Sequence, residues 1–303
     1  MRCPICSEDI QELVSSQYLP KFFQCRQCSG YFSKSGREVY YPGEYFSETG
    51  RPGTFWRLFY FVLAIFFRPS VRKISSLVSS HHSPRILDYG CGTGVLVERL
   101  LKNGYEVEGF EPSQSAVALA KKIHLPVYDD LRALSGSYAL IMFWHSLEHT
   151  FNPHEVMAWC RPLLEEKGKI LIAVPNASSW EARLAGEQWF HYDYPFHRIH
   201  FTPRAITKML ENVGFRVISI DYFNPEYTFS GLVQTFLNFF LPKNILYSVV
   251  ANRRMSRSRE ISSFYGFVSL FAVALFSPVL LFLFFLELAA KKTGAMIVSA
   301  EKI

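Results

Sequence analysis

The stretch RILDYGCGTG, residues 85–94, is the part of the chain that decides the fold. Its apolar residues predict a β-strand that ends at Asp88, and three glycines follow it, Gly90, Gly92 and Gly94. A helical rhythm of apolar residues begins directly after the last glycine. Glycine at a strand–helix junction allows positive φ and lets bare backbone N–H groups approach a ligand. The spacing therefore predicts a ligand-binding loop.

One acidic residue and one departure from a known pattern sharpen this prediction. Glu111 closes the next strand-like run, YEVEGFE, where an acid is placed to hydrogen-bond a ribose. The dinucleotide fingerprint would require a glycine at position 95, which is Val95. The combination favours a nucleoside-binding domain over a plain tight turn, and Val95 disfavours a nicotinamide dehydrogenase.

Strand-like and helix-like segments alternate from residue 85 onward, which is typical of a parallel sheet covered by helices on both faces. Asn152-Pro153 and Thr202-Pro203 carry the cap-and-proline signature of helix starts. We predict an α/β fold with a seven-stranded, Rossmann-like sheet, closed by an antiparallel strand over 295–299. The six preceding strands are predicted at 85–89, 105–110, 125–128, 138–143, 169–174 and 215–222.

The composition indicates a globular core with an additional apolar part. The chain has 303 residues, of which 49% are hydrophobic and 19% charged, with a net charge of +6. This length suits one large domain and an accessory one. The basic residues gather around apolar runs, so we predict membrane lipids as partners and no nucleic acid. No secretory signal opens the sequence, and the reduced thiols of its cysteine pairs predict a cytoplasmic location.

Four of the six cysteines form two C-x₂-C pairs, with residues 7–24 between them. This spacing predicts a zinc ribbon over residues 1–35, in which four thiolates leave the metal no open position for chemistry. Two disulfides or a redox pair are the alternatives, and the absence of an export signal disfavours them. Cys91 and Cys160 are predicted to be packed thiols. The predicted zinc ligands are Cys3, Cys6, Cys25 and Cys28.

Residues 36–84 are predicted to be a linker with one apolar helix. The helix would begin at Thr54 and carry an uncharged run over 58–67, about 15 Å long and half of what a bilayer core needs. It would either pack on the next domain or lie in the membrane interface. The segment SSLVSSHHSP, residues 75–84, is interpreted as a polar link.

A long apolar insert is predicted over residues 223–293, ahead of the closing strand. Residues 261–286 carry no charge and are long enough to cross a bilayer, with Pro278 placed to break the helix. Basic residues flank both ends, so we expect both ends to stay cytoplasmic. Residues 229–250 are interpreted as an interfacial helix. A re-entrant hairpin is favoured over two crossings and over a soluble pair of core helices.

Residues 85–222 resemble class I S-adenosylmethionine-dependent methyltransferases, in the branch that includes ubiquinone-pathway O-methyltransferases and many small-molecule enzymes. The resemblance covers nearly half of the chain, and a zinc ribbon in front of such a domain is similar to an arrangement in sugar and small-molecule methyltransferases. Ala139 departs from the aspartate that relatives often carry there. The motifs are LDYGCGTG (87–94), GFEPS (109–113), FWHSLEHTFNP (143–153), VPNASS (174–179) and FHYDYPFHRIHFTP (190–203).

The resemblance implies a place for each part of S-adenosylmethionine. The loop Gly90–Gly94 would pass under the methionine part, and Asp88 would help to hold its amino end. Glu111 would bind both ribose hydroxyls. Asp129 or Asp130 would reach the adenine amino group, with a plain helix cap as the alternative for Asp130.

A methyl acceptor must lose a proton, and histidine suits that task near neutral pH. His145 is the first candidate, since the resemblance places the region after the fourth strand beside the methyl group, and His197 is the second. A structural role for each histidine is the alternative. His145, Glu148 and His149 are also considered as a divalent-metal cluster, although Glu148 is more simply a brace for the loop.

Together these observations predict a methyltransferase at the cytoplasmic face of a membrane, anchored by residues 261–286, with a small-molecule, lipid-linked or glycan acceptor. The rival hypothesis is a non-catalytic membrane scaffold with a nucleoside-binding fold. The sequence gives no indication of the oligomeric state. The predicted organisation is a zinc ribbon (1–35), a linker with an apolar helix (36–84), the catalytic domain (85–222, closed by 294–303) and a membrane-associated insert (223–293).

Overall fold

The computed structural model describes most of the chain, and the predicted linker and apolar helix over 36–67 lie outside the described residues. The described ranges are 1–34, 70–79, 81, 83–134, 136–224, 226–250 and 259–303.

A seven-stranded sheet forms the centre of the molecule. Its strands are β4 (Arg85–Tyr89), β5 (Glu106–Phe110), β6 (Val127–Tyr128), β7 (Tyr138–Trp144), β8 (Leu164–Pro175), β10 (Phe215–Asp221) and β11 (Ala295–Lys302). Their spatial order is β10-β11-β8-β7-β4-β5-β6. Strands β4 to β8 pair in parallel, which confirms the predicted α/β fold, and their near-continuous apolar sequences suit burial on both faces.

The last strand closes the sheet as the sequence predicts. β11 lies antiparallel between β8 and β10, with Ala295 opposite Pro175 and Lys302 opposite Phe215. It is longer than the predicted segment 295–299 because its antiparallel pairing continues as far as Phe215, the first residue of β10. The carboxyl ends of β4, β5 and β7 meet at one edge, where an open α/β sheet binds its ligands.

Helices cover both faces of the sheet. One of them, α1, is described over 70–78 and buries Ile74, Leu77 and Val78 in the core, so the interpretation of residues 75–78 as a polar link is wrong. Of the two serines between them, Ser76 is exposed and Ser75 is partly buried and accepts a hydrogen bond from the Tyr105 hydroxyl. The others are α2 (Val95–Lys102), α3 (Gln114–Lys122), α4 (Pro153–Cys160), α5 (Trp180–Ala185) and α6 (Pro203–Asn212).

The predicted helix caps are present. The Asn152 side chain accepts from the backbone N–H of Glu155, and the Thr202 side chain accepts from that of Ala205. Each cap satisfies a backbone donor that the first turn of a helix leaves without an intrahelical partner.

The cysteine-containing segment forms a small sheet that continues into the catalytic domain. Its strands are β1 (Val14–Ser15), β2 (Phe22–Gln24) and β3 (Tyr31–Ser33), and β3 pairs with β9 (Ile199–His200). Asn212 Nδ2 also donates to the Cys6 carbonyl at 2.8 Å. Residues 1–34 are therefore built onto the larger domain through backbone pairing.

The apolar insert forms a helical hairpin, made of α7 (Thr228–Leu237) and α8 (Ile245–Val250) as one arm and α9 (Arg259–Ala289) as the other. The arms are antiparallel, because Phe229 contacts Phe284 and Phe236 contacts Phe276. The segment 229–250, predicted to be one interfacial helix, is divided into two helices, and most of α7 is buried.

The predicted break at Pro278 is also wrong, because α9 is continuous through it. Proline removes the N–H that would donate to the carbonyl four residues earlier, at Ala274. The Ser277 hydroxyl donates to that carbonyl instead, at 2.9 Å. The hydrogen bond explains why the helix does not end here.

Candidate active site

The glycine loop turns back over the neighbouring strand at the carboxyl end of β4. Gly90, Gly92 and Gly94 all have positive φ, between 57° and 80°. The backbone N–H of Gly90 donates to the Phe110 carbonyl at 2.7 Å. A Cβ on Gly90 would lie 2.4 Å from Ser146 Cβ, so only glycine fits there.

Glu111 fixes the shape of this loop. One of its carboxylate oxygens accepts from the backbone N–H of Gly92 and the other from that of Ser113, both at 2.9 Å. A carboxylate has about four lone-pair sites, so further donors can still bind. The acid predicted to contact a ribose therefore also holds the loop above it.

Asp88 is the buried charge of the site. Its side chain is 2% exposed, and its Oδ1 has no hydrogen-bond partner among the described residues. Burial, followed by the charge of Glu111, raises its pKa to about 7. A buried oxygen without a donor fits a cationic ligand such as an amino group. The residues present thus fit the amino end of S-adenosylmethionine.

The two adenine candidates after β6 differ in what they already bind. Asp130 accepts from the backbone N–H of Arg132 at 2.9 Å and pairs with its guanidinium. It is the N-cap of the short 3-10 turn Leu131–Ala133. Asp129 is exposed at the end of the strand. Asp130 is therefore engaged as a helix cap. Asp129 has a free path to solvent and is the better candidate for the adenine contact.

The acceptor side begins where β7 ends, at His145. Its Nδ1 lies 3.5 Å from the buried Glu148 carboxylate, and its Nε2 lies 3.0 Å from Asn224 Nδ2. Asn224 Oδ1 accepts from the backbone N–H of Glu226, so the amide nitrogen faces the histidine. In this assignment the Nδ1 of His145 carries the proton and its Nε2 is an acceptor.

A second set of polar side chains lies next to His145, on the Glu148 side of its ring. Glu148, His149 and His197 each bring one ligand atom within 4.8 Å of the others. His149 Nδ1 contacts the Phe196 carbonyl and His197 Nδ1 contacts the His191 carbonyl, at 3.1 and 2.7 Å. A carbonyl only accepts, so both Nδ1 atoms donate and both rings present Nε2 as a lone pair.

The electrostatics of this group follow from burial. Burial opposes ionisation of Glu148, but its 3.5 Å contact with the His145 Nδ1 atom and the charges of the neighbouring histidines lower its pKa to about 2. Burial lowers the pKa of His149 to about 4. The arrangement is a buried carboxylate faced by imidazole rings. The sequence suggested His145, Glu148 and His149 as a metal cluster. The structure instead groups Glu148 and His149 with His197.

Sequence reasoning missed two residues that contact His145. Asn224 is fully buried, and the Tyr227 ring lies 4.1 Å from the histidine ring. Both belong to the segment that leads into α7. They match no motif and lie about 80 positions away in sequence, so only the tertiary fold brings them to the site.

The four N-terminal cysteines form one buried cluster. Cys3 and Cys28 have Sγ atoms 4.0 Å apart, and those of Cys6 and Cys25 are 3.9 Å apart. Four thiolates placed tetrahedrally at about 2.3 Å from zinc would have sulfur atoms about 3.8 Å apart. The donor set fits zinc. Cys160 is buried in the core, as expected of a packed thiol.

Comparison with known proteins agrees with this geometry. The profile of the family described as "Methyltransferase domain" matches residues 61–220, a little over half of the chain. The chain belongs to this methyltransferase family. Its class of activity is therefore S-adenosylmethionine-dependent methyl transfer, as the sequence resemblance predicts.

Individual relatives of this methyltransferase are distant. It is 23% identical over 180 residues to the ubiquinone biosynthesis O-methyltransferase of Bordetella avium, covering 52% of this chain and 75% of that protein. It is 32% identical over 103 residues to the protein of the same name from Nitrosococcus oceani, covering 30% of this chain and 44% of that one. The chain thus spans between about half and three quarters of the length of these relatives.

A solved structure is also similar. A SAM-dependent methyltransferase from Archaeoglobus fulgidus has a TM-score of 0.46 at 20% identity, covering 80% of this chain and 99% of that one.

Proposed function

We propose that this methyltransferase acts at the cytoplasmic face of a membrane on a small-molecule or lipid-linked acceptor. The observation that carries the proposal is the meeting of two polar centres at one edge of the sheet. Asp88 and Glu111 lie at the ends of β4 and β5, and His145 lies at the end of the adjacent β7. The relatives named as O-methyltransferases support a small-molecule acceptor.

On the donor side, we assign Asp88 to the amino group of S-adenosylmethionine and Glu111 to its ribose hydroxyls. The loop Gly90–Gly94 would line the methionine part, and Asp129 or Asp130 the adenine. Bound S-adenosylmethionine would supply an electrophilic methyl group on a sulfonium. The unpartnered Oδ1 of Asp88 and the backbone-held carboxylate of Glu111 support this assignment.

On the acceptor side, we assign His145 as the general base and His197 as the second candidate. The Nε2 of His145 accepts from Asn224, so an acceptor hydroxyl would donate in place of that amide. Glu148, on the Nδ1 side of the ring, would stabilise the imidazolium that forms. This pairing of a buried acid with a histidine supports the role.

Transfer of a tritiated methyl group tests the activity. Purified protein is incubated with labelled S-adenosylmethionine and either a detergent extract of membranes or the aqueous extract of the same cells. We expect label in the membrane extract. If neither extract is labelled while S-adenosylhomocysteine still binds, the scaffold hypothesis is favoured.

We further propose that the helical hairpin binds the membrane. Residues Phe264–Ala289 have a mean hydropathy of 2.6, and only 17% of the apolar window is buried. Phe271 and Phe282 are 64% and 65% exposed. An exposed apolar surface of this kind is typical of a membrane contact.

Flotation with liposomes that contain anionic lipid tests the membrane contact. Phe271→Glu with Phe282→Glu should abolish flotation, whereas Leu184→Glu, on a residue 84% exposed on α5, should not. Equal flotation of all the variants would contradict the proposal. For the side of the membrane, a cysteine at the exposed Lys291 should resist an impermeant thiol reagent in intact cells and react after permeabilisation.

The cysteine cluster is proposed to hold a structural zinc ion. The sulfur separations and the two C-x₂-C turns support this assignment. Elemental analysis should find about one zinc per chain in the wild type, and none in a variant with all four cysteines changed to serine.

A second proposal is a divalent cation at Glu148, His149 and His197. Both histidines donate from Nδ1 to backbone carbonyls, the usual support of histidine ligands. Both Glu148 carboxylate oxygens lack a hydrogen-bond partner among the described residues. Calorimetry with Mn²⁺ on the zinc-loaded wild type should show binding, because thiolates occupied by zinc do not take up Mn²⁺. Glu148→Gln with His197→Ala should remove that binding. Absence of Mn²⁺ binding to the wild type would contradict the proposal.

A further inference from the structure

We propose that the cysteine cluster positions the acceptor-side histidines through the pairing of β3 with β9, so that loading of the cluster with metal controls the acceptor side and leaves the donor side unchanged. This inference rests on the proposed zinc site and acceptor site. It gives the N-terminal segment a role in the reaction, beyond stabilising its own fold.

The cluster is joined directly to β3. The turn that carries Cys25 and Cys28 is closed by a hydrogen bond from the Cys25 backbone N–H to the Gly30 carbonyl, at 2.9 Å. A Cβ on Gly30 would lie 2.5 Å from Ile5 Cδ1 and 2.9 Å from Ala205 Cβ. The turn is therefore packed tightly between the other cysteine knuckle and α6, and β3 starts from it.

Strand β3 is joined to the segment that carries the histidines. Tyr31 lies opposite His200 and Phe32 opposite Ile199. The backbone N–H of Ser33 donates to the Arg198 carbonyl at 2.7 Å. Backbone pairing of this kind fixes the register of the second strand, so the position of β9 depends on β3.

Strand β9 in turn is joined to the acceptor side. The Arg198 backbone N–H donates to the Glu148 carbonyl at 2.8 Å. His197 precedes it in sequence, and its ring lies 4.7 Å from the ring of His149. A continuous path of backbone hydrogen bonds thus runs from the cysteine turn to the Glu148 loop.

A side chain of the N-terminal segment also packs against a histidine of β9, His200. Phe22 is fully buried, and its ring lies 4.6 Å from the His200 ring and 5.8 Å from the Tyr192 ring. The donor-side loop is held differently, by the Phe110 carbonyl and the Glu111 carboxylate. Disturbing the N-terminal segment should therefore reach one half of the site and spare the other.

The first test breaks the strand pairing and keeps the cysteines. Ser33→Pro removes the N–H that donates to Arg198. Ser15→Pro is the matched control, since it makes the same change in β1, at the far edge of the small sheet. Phe22→Leu removes the ring contact with His200 and keeps every backbone donor.

Four measurements are made on the full-length protein: zinc content, S-adenosylhomocysteine affinity by calorimetry, histidine ring resonances by NMR, and methyl transfer to the detergent extract of membranes. In Ser33→Pro, zinc content and affinity should stay within about twofold of wild type. Methyl transfer should fall at least about tenfold, because small misplacements of reacting groups are costly. The His149 and His197 resonances should shift, less in Phe22→Leu and least in Ser15→Pro.

The variant with all four cysteines changed to serine, which leaves the cation site proposed at Glu148 untouched, should reproduce the lower methyl transfer and the shifted histidine resonances of Ser33→Pro. Unchanged histidine resonances in both the four-serine variant and Ser33→Pro would overturn the inference, as would a parallel loss of S-adenosylhomocysteine affinity. The NMR result decides the matter even if no methyl transfer is found, so failure of the inference and failure of the proposed activity are distinguishable.

Discussion

The proposed donor and acceptor halves of this site lie side by side but are built differently. The proposed donor half comes from one continuous part of the sequence, residues 88–130, and its glycine loop is held by backbone N–H groups that donate to one carboxylate. The acceptor half joins side chains from the end of β7, from residues 191–200 and from Asn224. Binding in the half formed by backbone N–H groups should be weakened mainly by substitutions that change the shape of the loop or remove its one carboxylate. In the half formed by side chains, removal of any one polar side chain should lower the activity.

The strongest test of this contrast is His145→Ala. Removing a general base typically lowers a rate by about 10²- to 10⁴-fold. We expect a loss of that size in methyl transfer to membrane extract, with S-adenosylhomocysteine affinity unchanged, because the ring does not belong to the donor half. His154→Ala, on α4, is the control. A joint loss of rate and affinity would mean that the two halves are not separate.

The next largest effect is expected on donor affinity, from Glu111→Ala. The carboxylate holds the loop and is assigned to two ribose hydroxyls, and a hydrogen bond to a charged group contributes about 1.5–3 kcal/mol. Calorimetry should therefore show S-adenosylhomocysteine binding weakened about 100-fold or more. Glu106→Ala, at the other end of the same strand, should bind like the wild type. Equal affinities for both variants would remove Glu111 from the donor site.

A smaller effect should appear with pH, through Asp88. Its pKa is raised to about 7, so acid protonates the carboxylate that we assign to a cationic amino group. The affinity for S-adenosylhomocysteine should fall about tenfold per pH unit below 7. Asp88→Asn should bind weakly at every pH and lose this slope.

The stability of the free protein should change in the opposite direction. A raised pKa in the folded state means that the folded chain holds this proton more tightly than the unfolded one. The stabilisation is complete at low pH and is lost as the pH rises through about 7. The melting temperature without ligand should therefore increase, through this group, between pH 8 and 6, and Asp88→Asn should remove that contribution. A thermal shift series checks it.

The smallest expected effect is the difference in donor affinity between variants of Asp129 and of Asp130. Asp130 already caps a turn and pairs with Arg132, so Asp130→Ala should change S-adenosylhomocysteine affinity less than about twofold. Asp129→Ala should weaken binding about fivefold, the value of one ordinary hydrogen bond. The reverse order would place the adenine contact on Asp130 and show that the cap is dispensable.

The same contrast explains what could be predicted from the sequence. The glycine loop, Asp88 and Glu111 are close in sequence and share a known spacing, so their contacts are local consequences of a strand and a turn. The contact between His145 and Asn224 joins positions that only the packing of α7 brings together. No local propensity encodes such a contact, and the acceptor half was therefore predicted only as a set of histidines.

Two local predictions failed for reasons of context. Serines around Ile74 and Leu77 suggested a link, although these residues and Val78 lie at helical spacing and fill the core. Pro278 suggested a helix end, but the neighbouring Ser277 hydroxyl compensates the lost backbone donor. In the first case serines, and in the second a proline, were taken as signs of irregular structure, and in both the neighbouring residues decided the outcome.

The position of β11 has a consequence for how the chain is made. It lies between β8 and β10, which are both synthesised before it, and it follows the apolar hairpin in sequence. Those two strands lack their common partner until residues 295–302 leave the ribosome. The apolar helix α9 therefore leaves the ribosome before the strand that completes the sheet. If the hairpin binds a membrane as proposed, that contact can form while the sheet is still open.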